Sequence, residues 1–282
     1  MTNLLKQSTF HIYDTSKSAL TNDPLSDFAF GDVLIRQVNH PTNPTMLHFW
    51  PIEKMIILGM MDTKLPDLDE GFDFLEAHNY DVRVRPAGGL AVVADEGILN
   101  LSLVFREEDD EKVSIDDAYD MMVELIRQTF ASYGKKIEAF EIPDSYCPGK
   151  FDLSIDGKKF AGIAQRRFKK GIAVMIYLSV NGDQQKRGEL LRDFYKISLK
   201  DKETRWHYPD VNPDSMANLS DLLGDQSLTN ERVKTMILEA LLRLDNTLLD
   251  AEYTAEMLQD YHVAHEKMAQ RNQKVLDQLN RR

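Results

Sequence analysis

The chain of 282 residues is nearly without cysteine: Cys147 is its single thiol. One cysteine closes no intramolecular disulfide, and in a reducing compartment it stays free for chemistry. Basic charge is also in short supply. Thirty-four Lys and Arg stand against 46 Asp and Glu, a formal net charge of -12. A chain of this sign lacks the basic footprint that nucleic acid requires and is repelled by anionic membrane surfaces. No run approaches about eighteen apolar residues, so no transmembrane helix is expected. The opening MTNLLKQSTFHIYD lacks the charged-then-apolar order of a secretory signal. No G-x-x-x-x-G-K-[ST] loop is present for nucleotide phosphates, and no G-x-G-x-x-G opens a helix. Seven histidines are scattered. His262 and His265 could share a helix face but have no carboxylate motif beside them, so no metal site is expected. There is no Pro/Gly/Ser-rich linker and no repeat. These absences predict a cytoplasmic protein, one catalytic or binding unit over 1–282, with neither nucleic-acid nor membrane partners.

What is present is ample apolar material, 43% of residues, enough for a large core. STFHIYD near residue 10 alternates like a short strand. Pro24–Val38 has helical spacing, with Asp23 as cap and Pro24 in the first turn. Strands are expected around Met46–Trp50, Lys54–Gly59, Asp81–Arg85, Leu90–Val93 and Leu99–Phe105, with a short helix at Asp67–Asn79. Ser114–Tyr133 is the clearest helix: Ser114 and Asp117 form a capping box, Ala118, Met121, Met122, Leu125 and Ile126 a stripe, and Gly134 a stop. Ile137–Ile142 precedes three strands, Phe151–Ile155, Lys159–Arg167 and Ile172–Val180, the first two joined by an Asp156-Gly157 turn. Helices follow at Gln184–Lys196, Met216–Leu223, Asn230–Leu244 and from Glu252 on. The fold class is α/β (α+β): a mixed sheet flanked by helices over about 10–200, with a helical C-terminal part over about 212–282.

The stretch SYCPGKFDLSIDGKKFAGIAQRR, Ser145 to Arg167, holds Cys147 and a lysine amid apolar residues, Lys159. A free cysteine is commonly a small buried hydrophobe. Here Pro148 biases Cys147 toward extended backbone and Gly149 permits a sharp turn, so the sulfur can face a cleft. Lys159 is a candidate base; period two puts it on one face with Ala161 and Ile163, and the hairpin sets it opposite Ser154. Cys147 lies roughly 23 Å further along if extended, so the loop must fold back for the two to meet. Upstream, Gly88-Gly89 is an ordinary turn or a close backbone approach to a ligand. QRRFKK gathers Arg166, Arg167, Lys169 and Lys170, a solvated hairpin tip or a docking patch for acidic partners.

Two segments together resemble the lipoate–protein ligase and octanoyltransferase superfamily, related in fold to biotin protein ligases. Arg85-Pro-Ala-Gly88-Gly89-Leu90-Ala-Val is similar to its Arg/Gly-rich loop. Asp152-Leu-Ser-Ile-Asp-Gly-Lys-Lys159-Phe-Ala-Gly162 is similar to its second motif, and Met55–Leu68 sits at its ligand loop. The resemblance covers roughly Ile12 to Val180. The ATP-dependent ligases carry R-R-x-x-G-G-G-x-V-[FY]-H-D; here Val84, Leu90 and Ala94 replace the first arginine, third glycine and histidine, and Asp95 is kept. Gly59-Met60-Met61-Asp62-Thr63 departs from their G-R-x-Q-N loop.

SYCPG with GLAVVADEG is most similar to the octanoyl-[glycine cleavage H protein]:protein N-octanoyltransferases. That resemblance implies Cys147 as nucleophile, Lys159 as its proton-transferring partner, and substrate contacts at Arg85, Gly88, Gly89 and Gly162. It implies no cofactor, and as partners the glycine cleavage H protein and the lipoyl domains of 2-oxoacid dehydrogenase E2 subunits. Three other readings stay open: an octanoyltransferase fed by acyl carrier protein, an ATP-dependent lipoate ligase, and a binding module with an inert thiol.

Overall fold

Periodic apolar runs become strands and helices wherever local signals agree. In the computed structural model, which describes residues 5–17, 20, 23–52, 54–85, 88–108, 110 and 112–279, the first half runs β1 (Thr9–Asp14), α1 (Ser26–Gln37), β2 (Thr45–Phe49), β3 (Met55–Leu58), α2 (Leu68–Ala77), β4 (Asp81–Val84), β5 (Val92–Ala94), β6 (Ile98–Arg106) and α3 (Ile115–Thr129). The second half runs β7 (Glu138–Ala139), β8 (Leu153–Ile155), β9 (Lys158–Phe168), β10 (Gly171–Ser179), α4 (Gln184–Leu199), α5 (Leu219–Leu222), α6 (Asn230–Arg243), β11 (Thr247–Asp250) and α7 (Ala255–Leu279).

Eight strands form a mixed sheet in the order β11-β1-β2-β6-β10-β9-β8-β7, and β4-β3-β5 form a second, smaller one. β6 and β10 are buried on both faces because helices cover both. α3 and α6 bury one face of the large sheet around Leu101, Leu103, Ile176 and Ile126. α1 and α7 cover the β1–β2–β6 part of the opposite face around Phe30, Leu34 and Tyr261. The small sheet closes against α2 and α4 through Ile56, Leu75 and Phe194. The mixed α/β class expected from the sequence is the one observed.

Three elements differ from expectation. α1 starts at Ser26, because Asp23 Oδ1 accepts from Leu25 N at 2.7 Å and caps a preceding turn instead. The helix expected at Met216–Leu223 shrinks to Leu219–Leu222: Met216 is extended and bridges to Lys159, with Ala217 N donating to Lys159 O at 2.9 Å. Thr247–Asp250, assigned to the helical part, is a strand pairing parallel with β1, Thr9 opposite Thr247. In the first of these two cases long-range backbone pairing overrides a helical pattern, and in the second it makes a strand of the link between two helices.

The cap of α3 is as expected: Ser114 Oγ accepts from Asp117 N at 3.0 Å and Asp117 Oδ2 accepts from Ser114 N at 3.3 Å. Substituting Ser114→Ala is expected to cost about 1 kcal/mol in urea denaturation. A change under a few tenths would show that this cap does not hold the helix.

Candidate active site

The site begins with a β-bulge. Leu153 pairs with Ala161 and Ser154 with Lys159, leaving Phe160 as the extra residue on β9. The expected pairing of Lys159 with Ser154 is observed. Its expected face-mates are not: the bulge resets the alternation, so Ala161 joins the α3 side of the core while Lys159 Cε approaches the position a Cβ on Gly162 would take, 3.7 Å away.

Lys159 is 1% exposed. Its Nζ contacts Asp152 Oδ1 at 2.9 Å and donates to Ser145 Oγ (3.0 Å), Tyr146 O (3.0 Å) and Cys147 O (2.9 Å). Asp152 Oδ2 in turn accepts from Ile142 N (3.2 Å) and Gly149 N (3.1 Å). Burial holds the Asp152 carboxyl above its ordinary range even with Lys159 opposing the shift. The pair therefore ties residues 142–149 down over the sheet, the fold-back that the length of the loop requires. It also changes the backbone expected at Cys147. Pro148 favours an extended residue before it, yet Cys147 has φ +49°, in the left-handed half that non-glycine residues avoid. Hydrogen bonds from one ammonium to two successive carbonyls impose it.

In that conformation the sulfur leaves Lys159 behind. Cys147 Sγ accepts from Leu90 N at 3.3 Å and lies 3.6 Å from Arg85 Nη2. Arg85 is fixed by donating to Leu90 O (2.9 Å) and Gly88 O (3.2 Å). The cation at the sulfur is thus Arg85, and Lys159 reaches Cys147 through its carbonyl. Gly89 makes this possible: at φ +92° a Cβ would stand 2.5 Å from Arg85 Nη2 and 3.1 Å from Sγ. Gly59 lets the ligand loop close on it, since a Cβ there would lie 1.8 Å from Gly89 O.

Behind that contact stands a residue that the sequence reading did not select. Asp62, fully buried, accepts from Gly59 N at 2.7 Å and from Tyr195 OH at 2.9 Å, while Tyr195 OH accepts from Ala91 N at 3.1 Å. Burial pushes its carboxyl up to about 7. The signal was an acid in the apolar stretch MIILGMMDTK. Asp95, kept from the ligase pattern, pairs instead with Arg187 at 2.7 Å and accepts from Tyr80 OH; it does not line the cavity described next.

Cys147 opens into a cavity of about 370 Å³, within the usual size of small-molecule sites. Its floor is a three-by-three patch of facing residues: Gly162, Tyr177 and Asn100, then Ala164, Met175 and Ser102, then Arg166, Ala173 and Val104, across β9, β10 and β6. Four of the nine are Gly, Ala or Ser, which leaves depth. Phe28, Gly31 and Ile35 of α1, at helical spacing, form the roof. Asp27 also reaches it, and burial pushes its carboxyl up to about 7. The substrate-contact candidates Arg85, Gly88, Gly89 and Gly162 all line this one space.

The proposed docking group does not gather on one face. Arg166 pairs with Asp32 in the cavity wall. Arg167 turns the other way and donates to Val113 O and Ser114 O, both at 2.8 Å. Successive strand residues must part in this way. Lys169 extends over the Phe168 ring. Of the two helical histidines, His265 faces Asp23 at 3.2 Å and the His262 ring lies tilted beside that of Tyr261.

Residues 23–242 match the family described as lipoyl protein ligase A/B catalytic domain. The chain is 43% identical over 277 residues to an octanoyl-[GcvH]:protein N-octanoyltransferase of Lysinibacillus sphaericus, covering 98% of this chain and 99% of that one. It is 44% identical over 274 residues to a lipoyl-[GcvH]:protein N-lipoyltransferase of Listeria monocytogenes, covering 97% and 98%. In fold it is similar to a lipoate-protein ligase A bound with ATP, with TM-score 0.69, 17% identity and coverage of 93% and 95%. It is also similar to a bi-partite lipoate protein ligase of Thermoplasma acidophilum, with TM-score 0.66, 17% identity and 93% of each chain.

Two measurements test the geometry. Gly89→Ala, which strains a backbone at φ +92° and drives a Cβ against Arg85 Nη2, should lower the melting temperature and cut alkylation of native Cys147 at least about tenfold through displacement of Arg85; unchanged alkylation would remove Arg85 from the sulfur's surroundings. Asp27 has a raised folded pKa, so the folded state holds a proton that the unfolded state releases from about pH 4 upward. Its contribution is present below the unfolded value and is lost as pH rises through about 7. Melting temperature should therefore fall between pH 5 and 8 more steeply in the wild type than in Asp27→Asn; equal slopes would count against a buried neutral acid.

Proposed function

The chain belongs to the lipoyl protein ligase A/B catalytic family, and on that footing we propose that it is an acyltransferase with a cysteine nucleophile. It moves an octanoyl group from the lysine of the glycine cleavage H protein to the lipoyl-domain lysine of 2-oxoacid dehydrogenase E2 subunits. The names of its relatives support the donor protein and the acyl transfer. The observation that carries the residue assignment is the placement of the lone thiol: Sγ meets the Leu90 N–H and the Arg85 guanidinium where an acyl-sized cavity opens.

The Cys147 thiolate attacks the carbonyl carbon of the donor's octanoyl-lysine amide. The Leu90 N–H and the Arg85 guanidinium that meet the sulfur are also the donors offered to the oxyanion that forms. As the tetrahedral adduct collapses, the C–N bond breaks and the departing lysine nitrogen takes a proton from the Lys159 ammonium, which exchanges its hydrogen bond to the Cys147 carbonyl for one to that nitrogen. The acyl group is then a thioester on Cys147. The acceptor lysine enters, its nitrogen attacks the thioester carbonyl and gives its proton to the now neutral Lys159, and the C–S bond breaks. Amide is exchanged for amide, so no nucleotide is consumed; this is ping-pong covalent catalysis. The chain's burial against the Gly162–Val104 floor contributes about 0.8 kcal/mol per methylene. The thioester needs water kept out, which α1 does by roofing the floor. Lys169 remains the candidate for contact with acidic carrier domains, since Arg166 and Arg167 are committed within the chain.

Intact-mass spectrometry after mixing with octanoylated H protein, without ATP, tests the proposal. The wild type should gain one octanoyl group and Cys147→Ala none, while Lys159→Met should form the adduct at least about a hundredfold more slowly. An adduct from octanoyl-acyl carrier protein alone would reassign the donor. No adduct from either would overturn the covalent route.

A further inference from the structure

The last helix belongs to none of the motifs used so far. α7 packs along α1, and its C-terminal half crosses to the small sheet. There β4 is an edge strand, paired on one side only, and an edge leaves backbone N–H and C=O groups in need of partners. Asn272, 6% exposed, supplies both: its Oδ1 accepts from Val84 N at 2.8 Å and its Nδ2 donates to Val84 O at 3.2 Å. The side-chain amide thus stands in for one residue of a missing strand. The residue before it, Arg271, donates from Nη2 to Arg85 O at 3.3 Å and also contacts Met60 Sδ.

Two consecutive helix residues therefore hold the backbone of Val84 and Arg85, and Arg85 is the residue whose guanidinium ends at Cys147 Sγ. On its inner side, Arg85 N donates to Leu58 O at 3.0 Å. Without the outer hydrogen bonds the end of β4 is anchored from one side alone. Small rotations there are magnified along the long Arg85 side chain, and its contact with the sulfur, already 3.6 Å, is lost with a shift of about half an ångström.

We propose that Asn272 and Arg271 are positioning residues for the nucleophile: α7 clamps the edge of β4 so that Arg85 reaches the sulfur of Cys147. The clamp rests on Cys147 being the acyl-accepting thiol. Iodoacetamide reads the sulfur with no acyl donor present, so failure of the clamp and failure of the transferase reading give different results.

The test uses the full chain, four single variants (Arg271→Ala, Arg271→Lys, Asn272→Leu and Arg85→Ala) and one double variant. The second-order rate of Cys147 alkylation is measured at one neutral pH beside the melting temperature. Arg271→Ala and Asn272→Leu should slow alkylation roughly three- to tenfold, the worth of one hydrogen bond or so. Arg271→Lys, which still donates to the Arg85 carbonyl, should recover most of the rate. Combining Arg271→Ala with Arg85→Ala should slow it no further than Arg85→Ala alone. Unchanged alkylation in Arg271→Ala, a fully additive double variant, or an Arg85→Ala rate equal to the wild type would each overturn the proposal. Should Asn272→Leu fail to fold, the two Arg271 variants decide the matter.

Discussion

The buried pair of Lys159 and Asp152 is the interaction on which the site depends. An ammonium with 1% exposure pays a large desolvation penalty and is tolerated only where oxygens surround it. Here it has four, two of them the carbonyls of Tyr146 and Cys147. The free lone pairs of the carboxylate are filled by Ile142 and Gly149 N–H groups. Every partner beyond the pair itself lies in one loop, so satisfying the charges and folding the loop are the same event. Removing either partner leaves an uncompensated buried charge, a loss of about 3–5 kcal/mol in comparable cases, and it releases the backbone that aims the thiol. Lys159 thereby sets the geometry of the loop. Its hydrogen bonds force Cys147 to φ +49°, and that turn is what sends the sulfur toward Leu90 and Arg85.

The cavity follows from a second constraint, the packing of α1 on a sheet made of small residues. A helix lies about 10 Å from the sheet it covers only where side chains fill the gap. Gly31 on the helix faces open space, with nothing within 4 Å of where a Cβ would be. Gly162, Ala164 and Ala173 on the floor leave the gap unfilled. The absent volume is kept from collapse by the framework around it: the Arg166–Asp32 pair on one wall, and Trp50 bonded through Nε1 to Ser102 Oγ at 2.9 Å on another. Asp27, its carboxyl pushed up to about 7 by burial, brings to this space less charge than an ordinary carboxylate would. Fold and specificity thus share one device, a core left incomplete in one place.

Much of this architecture could be read from the chain because its signals are local. The α3 capping box sits within four residues, and the Asp156-Gly157 turn announces its hairpin by residue type. The alternation of β6 and β10 is legible from their own apolar runs. The family motifs likewise led to Cys147, Lys159, Arg85 and the glycines. Geometry was less legible wherever it rests on distant partners. The bulge at Phe160 flips the face of Lys159 and has no signature in the sequence. The left-handed Cys147 runs against the local preference set by Pro148, and only the ammonium contacts reverse it. β11 is a strand because β1 offers it an edge. Asn272 lies in an unremarked stretch and takes its meaning from backbone groups more than a hundred residues away, while Asp62, in a stretch marked only for its departure from the ligase loop, takes its meaning from a loop closure.

The departures from the ATP-dependent pattern acquire a physical sense in this setting. Positions that carry an arginine and a histidine in those ligases hold Val84 and Ala94 here, 2% and 1% exposed and packed into the core of the small sheet. Neither can offer a cation to a phosphate. The Val84 backbone is engaged by Asn272 on its outer edge, and Arg85, the arginine that remains, spends its guanidinium on the Gly88 and Leu90 carbonyls and the sulfur. A loop that in a nucleotide-dependent enzyme would neutralise phosphate charge is turned inward to serve a thiol. Activation by adenylate and activation by thioester make opposite demands on the same turn: one needs cations exposed to a bound nucleotide, the other a single cation held against a cysteine. A loop closed by Gly59 against Gly89 and backed by Asp62 and Tyr195 holds its one arginine against the lone cysteine, the arrangement that the proposed thioester route would need.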